Sequence, residues 1–127
     1  MKRLHDERGQ TMVEFAIVLP VLCLLLFGAI QFGILFNNYV TLTDATRAGA
    51  RKAAVARRLS DPTGSCVSAV RSSATDLKSG SLTANCQSTW QPGADVKVTA
   101  TYPYQISLLG MVVKSGRLSS TTTERVE

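Results

Sequence analysis

The sequence predicts an α+β chain of two unequal parts. A long apolar helix comes first, and a small head of one short helix and an antiparallel β-meander follows. Three observations carry this reading. From Phe15 to Phe36 there are 22 residues without a formal charge, the most polar being Gln31. Further on, Cys66, Val67, Val70, Ala74 and Leu77 recur at the three- and four-residue spacing of an amphipathic helix. From Val96 the pattern turns to alternation: Val96, Val98, Ala100 and Tyr102 face one way, Lys97, Thr99 and Thr101 the other. A chain of 127 residues leaves room for one small domain beside the apolar segment.

Four regions follow in order. Residues 1–9 are short and charged and carry no structure signal. Residues 10–36 form the apolar helix. At about 1.5 Å per residue its charge-free part spans roughly 33 Å, close to a hydrocarbon core of about 30 Å. That core is longer than the h-region of a cleaved signal peptide, and "NNYVTLTD" behind it offers no small-x-small site, so the segment is expected to stay as an anchor. Residues 37–59 continue helically, rich in Ala and Arg and free of Pro, with an i, i+4 stripe at Ala45, Gly49 and Ala53. Such a stripe lets another helix backbone approach closely, or is simply the by-product of an alanine-rich helix. "SDPTG", Ser60 to Gly64, ends that helix.

Residues 60–127 are the head. Its helix over Cys66 to Leu77 is closed by Gly80, and "QPGAD" turns the chain into the strand from Val96. Pro103 ends that strand or makes it an edge. "ISLLGMVV" reads as a buried strand or as a membrane- or partner-facing loop, "RLSSTTTERVE" as a further strand, and Trp90 as a core or hairpin-edge residue. Two to four strands are expected. Cys66 and Cys86 have no CxxC partner to point to zinc. In an oxidising compartment they would form one bridge tying helix to sheet; in the cytosol they would be two free thiols. Cys23, inside the apolar run, reads as a small hydrophobe. The positive-inside count is tied, with Lys2, Arg3 and Arg8 before the segment and Arg47, Arg51 and Lys52 after it. The cysteines favour an outside head and a cytoplasmic N-terminus.

Chemistry narrows the function. His5, the single histidine, lies in the charged N-terminal stretch, across the membrane from the head. Ser-His-Asp and Cys-His pairs and most zinc sites are thereby removed from the head. Asp61, Asp76 and Asp95 are scattered, and no Gly-rich phosphate loop is present. No catalytic residue, metal site or cofactor is expected. Fourteen Lys and Arg against nine Asp and Glu give a net charge of +5. The basic residues lack interleaved aromatics, so they read as a solvated or lipid-facing helix surface and not as a nucleic-acid site.

The remaining constellation is Gly9 followed by Gln10-Thr11-Met12-Val13-Glu14-Phe15, which puts Glu14 fifth in the chain after Gly9. A short basic leader, a Gly, a Glu at that place and an immediate apolar helix together resemble the processing site of type IV-like prepilins, cut after the Gly by a prepilin peptidase. Gly9-Gln10, Val13-Glu14-Phe15-Ala16, Leu19-Pro20, Phe27-Gly28, Phe32-Gly33, Leu35-Phe36 and Ala48-Gly49-Ala50-Arg51 sharpen this. They resemble the TadE/TadG-like family of minor pilins or pseudopilins of the tight-adherence (Tad, or Flp) pilus. The match covers roughly Arg8 to Ala54.

The resemblance implies a pilin-like fold with residues 1–9 as leader. Gly9, Gln10, Glu14 and Phe15 would form the processing site, and Glu14, Pro20, Gly28, Gly33, Ala45, Gly49 and Ala53 would pack subunits. The implied partners are the prepilin peptidase, other pilin or pseudopilin subunits, an inner-membrane assembly platform and membrane lipid. The implied role is in pilus assembly, surface adhesion and biofilm formation, from the bacterial inner membrane with the head periplasmic or extracellular. A Gly at the cut leaves extended backbone unobstructed. The new ammonium at Gln10 would meet the Glu14 carboxylate of a neighbour, offsetting a carboxylate's penalty in apolar surroundings. Two positions depart from the pattern: Gln10 replaces the bulky apolar residue of main type IV pilins, and Gln31 stands where an acid is common. Losing the leader removes Lys2, Arg3 and Arg8 against Asp6 and Glu7, which leaves +4. The other class of function open to the residues is an uncleaved single-pass protein whose outside domain binds a partner.

Overall fold

The computed structural model describes residues 3–127, with side chains from Gly9 onward. Lys2 and the side chains of Arg3, His5 and Arg8 lie outside the described residues. The order is α1 (Arg3–Ala54), α2 (Pro62–Ser73), β1 (Thr83–Gln87), β2 (Asp95–Leu108) and β3 (Met111–Arg125). The three strands form one antiparallel meander in the order β1-β2-β3. This is the α+β architecture that the charge-free run, the helical spacing and the alternation predict.

α1 has two halves with opposite surroundings. From Met12 to Val40 its large apolar side chains, half-buried Leu35 apart, are exposed, Phe15 at 64% and Phe32 at 67% for example. The helix is long and apolar enough to cross a membrane, and its most apolar window is not buried inside the chain at all. From Leu42 the same helix enters the core of the head, where Leu42, Ala45, Ala50 and Ala53 are fully buried. They pack with Cys66 and Val70 of α2 and with Val96, Val98 and Ala100, the inward-facing alternate residues of β2. The helix that was expected to run to residue 59 ends at Ala54, whose carbonyl accepts the Glu127 N–H at 3.0 Å.

"SDPTG" opens α2 instead of closing α1. Asp61 is the N-cap, its carboxylate accepting the Gly64 N–H at 2.9 Å, and Pro62 occupies the first turn, where its missing N–H is no loss. β2 runs through Pro103 to Leu108. β1 pairs only as far as Thr101, so beyond it β2 has β3 as its sole neighbour, the edge setting that tolerates proline. "ISLLGMVV" is neither a buried strand nor a loop. It is the end of a long hairpin, turning at Leu109 (φ 51°) and Gly110 (φ 82°), with a register irregularity at Ile106/Ser107. Trp90 is half-buried against the core.

Candidate processing and assembly site

At the N-terminal end, Gly9, Gln10, Glu14 and Phe15 occupy consecutive turns of α1. A Cβ added at Gly9 would meet no heavy atom within 4 Å, so this point is unobstructed. The Gln10 Nε2 amide donates to Glu14 Oε1 at 3.2 Å, one turn along the helix. Both side chains are exposed. A carboxylate offers about four acceptor directions, so Glu14 holds this bond and still has capacity for an ammonium.

Pro20 sits inside α1. Lacking an N–H, it leaves the Ala16 carbonyl without its helical donor. Gly28 and Gly33 have open space where a side chain would stand, two notches on the apolar surface. These residues do not converge on one pocket; they are strung along one helix, Pro20 beside the hairpin end and Gly28 and Gly33 next to open space. The small residues Ala45, Gly49 and Ala53, which the resemblance assigned to packing between subunits, are instead covered within the chain. A Cβ at Gly49 would collide with Val70 Cγ2, while the Cys66 carbonyl and Val98 Cγ1 each lie 3.5 Å away. The helix backbone that approaches the stripe is α2.

Cys66 and Cys86 are bonded, joining α2 to β1, with Cα atoms 6.4 Å apart. Cys23 is free and exposed on α1. Among the described residues no cluster of His, Cys, Asp and Glu is placed to hold a metal ion.

Two features escape sequence reasoning. One is a hydroxyl cluster that fastens α1 to β3. Thr46 Oγ1 lies 3.0 Å from Thr122 Oγ1 and 3.4 Å from Ser120 Oγ, and it donates to the Thr43 carbonyl at 2.8 Å. Ser120 in turn reaches Thr43 Oγ1 at 3.3 Å. The signal was present in Thr43 and Thr46 at i, i+3 and in Ser120 and Thr122 at i, i+2. The other is the hairpin end, where Leu108 and Leu109 line an apolar cavity together with Pro20, Cys23, Leu24 and Phe27 of α1.

An exposed apolar helix of membrane-crossing length, continuing into a small disulfide-tied α+β head, defines a helix-and-head protein with one membrane-capable span among the described residues. Residues 9–51 match the family model described as TadE-like protein, so this stretch of α1 is similar to a TadE-like domain. The match begins at Gly9 and ends at Arg51, leaving α2 and the sheet outside it. No curated protein and no solved structure gives a significant match.

Proposed function

We propose that the chain is a minor pilin or pseudopilin, a structural subunit that a prepilin peptidase cuts between Gly9 and Gln10 and that is needed for Tad pilus assembly, surface adhesion and biofilm formation. The observation that carries it is the TadE-like match starting at Gly9, on a helix whose apolar surface is open to partners. On this reading residues 1–9 are the leader, 10–36 the membrane and assembly helix, 37–59 its continuation into the head, and 60–127 the exposed head. The N-terminus is cytoplasmic, the helix crosses the bacterial inner membrane, and the head is periplasmic or extracellular. Cleavage makes an ammonium at Gln10, and Glu14 of an adjoining subunit receives it. The Gln10 side-chain amide donates to Glu14 within the same helix, which supports the reading that this carboxylate is open to a donor. Pro20, Gly28 and Gly33 shape the surface on which neighbouring helices pack. Protein isolated from host cells with an active peptidase should begin at Gln10 by N-terminal sequencing; a chain that keeps Met1 overturns the proposal.

One observation favours a second reading, an uncleaved single-pass protein with an outside binding domain. α1 runs unbroken from Arg3 through Gly9, whereas a protease grips extended backbone. Cutting therefore requires the first turns to unwind. Gly9 lies within two turns of the helix's N-terminal end, where the first N–H groups have no intrahelical partner, so unwinding costs less there than in the middle of α1.

A further inference from the structure

We infer that the β2–β3 hairpin end is a second membrane contact, entering the acyl chains of the same leaflet that α1 crosses on the head side. The inference rests on the membrane-anchor reading of α1. Its first support is position. At its base the hairpin is bonded to α1 through Thr46, Ser120 and Thr122, and at its end Leu108 and Leu109 line one apolar cavity with Pro20, Cys23, Leu24 and Phe27. The hairpin therefore runs back along the helix into the level of the charge-free segment. From Leu24 to Phe36 the helix rises about 18 Å. From Leu109 to Lys114 a strand covers about 17 Å. Lys114 thus stands level with the head-side end of the apolar segment, and everything nearer the turn stands below it.

The side chains match those levels. Leu109 is 82% exposed and Met111 70%, and Val112 and Val113 are exposed as well. Above them come Lys114 and Arg117, together with Tyr104, a basic and aromatic rim suited to anionic headgroups. No Asp or Glu occurs between Asp95 and Glu124, so the hairpin's acids stand at its base, far from those headgroups. Between the turn and α1 lies a cavity of about 270 Å³ whose lining, Pro20, Cys23, Leu24, Phe27, Leu108 and Leu109, is apolar like an acyl chain.

The turn itself is the second support. Leu109 and Gly110 both have positive φ, as a two-residue type I′ turn requires. Gly suits that conformation; Leu does not, and Asn or Asp is the usual occupant. A leucine that is both strained and turned into solvent is explained if the solvent there is lipid. The open strand edges set the limit. Outward-facing backbone groups are costly in hydrocarbon, so insertion stops where Gln105 and Lys114 begin.

Depth-dependent quenching tests this on the full chain reconstituted in phosphatidylcholine–phosphatidylglycerol vesicles. An environment-sensitive fluorophore is placed on native Cys23, on Leu109→Cys in a Cys23→Ser background, or on Thr123→Cys in the same background. The expected result is that labels at 23 and 109 are quenched several-fold more by acyl-chain nitroxides than by aqueous iodide, at matching depth, while the label at 123 responds only to iodide. Quenching at 23 with iodide access at 109 overturns the inference and leaves the anchor intact. Iodide access at both sites removes the anchor and the inference together. A label at 109 shielded from both quenchers overturns lipid in favour of a second copy of the chain.

Discussion

Gly49 is the residue at which two opposing effects on α1 can be weighed directly. In an exposed helix, Gly→Ala stabilises by about 1 kcal/mol through backbone entropy. At Gly49 the new methyl meets Val70 Cγ2 within contact distance, in a site walled by the Cys66 carbonyl and Val98. Overpacking a filled core costs about 1–3 kcal/mol. The second effect is the larger, so Gly49→Ala should lower the urea midpoint of the chain in detergent micelles. Adding Val70→Ala removes the colliding methyls, and the double variant should lose less than the two single losses together, because the partners touch. Equal, additive losses would mean that α2 does not approach the helix as closely as the structure places it.

Between elements, the bond from Cys66 to Cys86 holds α2 to β1, whose five residues pair only with β2. Closing a loop of this size contributes about 3 kcal/mol in the chain-entropy account. Reduction should therefore lower the unfolding free energy of the head by about that amount, read as a lower unfolding midpoint, while the helical signal of α1 persists; an unchanged midpoint would show the thiols unbonded in solution. The elements differ in how well the sequence announced them. The apolar half of α1 was plain because 22 charge-free residues admit few other readings. β2 was plain to Tyr102, since Val96, Val98 and Ala100 alternate into the core. Its continuation was hidden by Pro103, which reads as a stop unless one knows that β1 has already ended. The hairpin turn was hidden because its first residue is Leu109, and leucine gives no turn signal. "SDPTG" was read as a terminator, although Asp followed by Pro is equally a helix start. The stripe at Ala45, Gly49 and Ala53 was visible as a face, but spacing names the face and not what covers it. At the candidate site, the Gly9-to-Glu14 count was legible; the Gln10–Glu14 bond became visible only once both stood on one continuous helix.

For the whole molecule, the proposed function makes processing and assembly separable events, and two substitutions at the N-terminal end distinguish them. Gly9→Ala places a methyl where the protease must grip the backbone, in a position otherwise open, so the cut should fail and assembly with it. Glu14→Gln is different. It keeps the shape of the side chain and still lets Gln10 donate to it, but removes the charge that the new ammonium would meet. The anchor loses nothing by this, since a neutral amide enters an apolar segment more easily than a carboxylate. Cleavage at Gly9 should therefore proceed, and the mature chain should remain in the membrane. A hydrogen bond to a charged group contributes about 1.5–3 kcal/mol, so the share of subunit recovered in sheared fibres should fall roughly tenfold or more. Immunoblots of the membrane and fibre fractions, with N-terminal sequencing of each, measure both steps in one experiment. Native incorporation of the Glu14→Gln chain would reduce Glu14 to the interfacial end of an anchor. Failure to cut it would instead place the carboxylate in the grip of the peptidase.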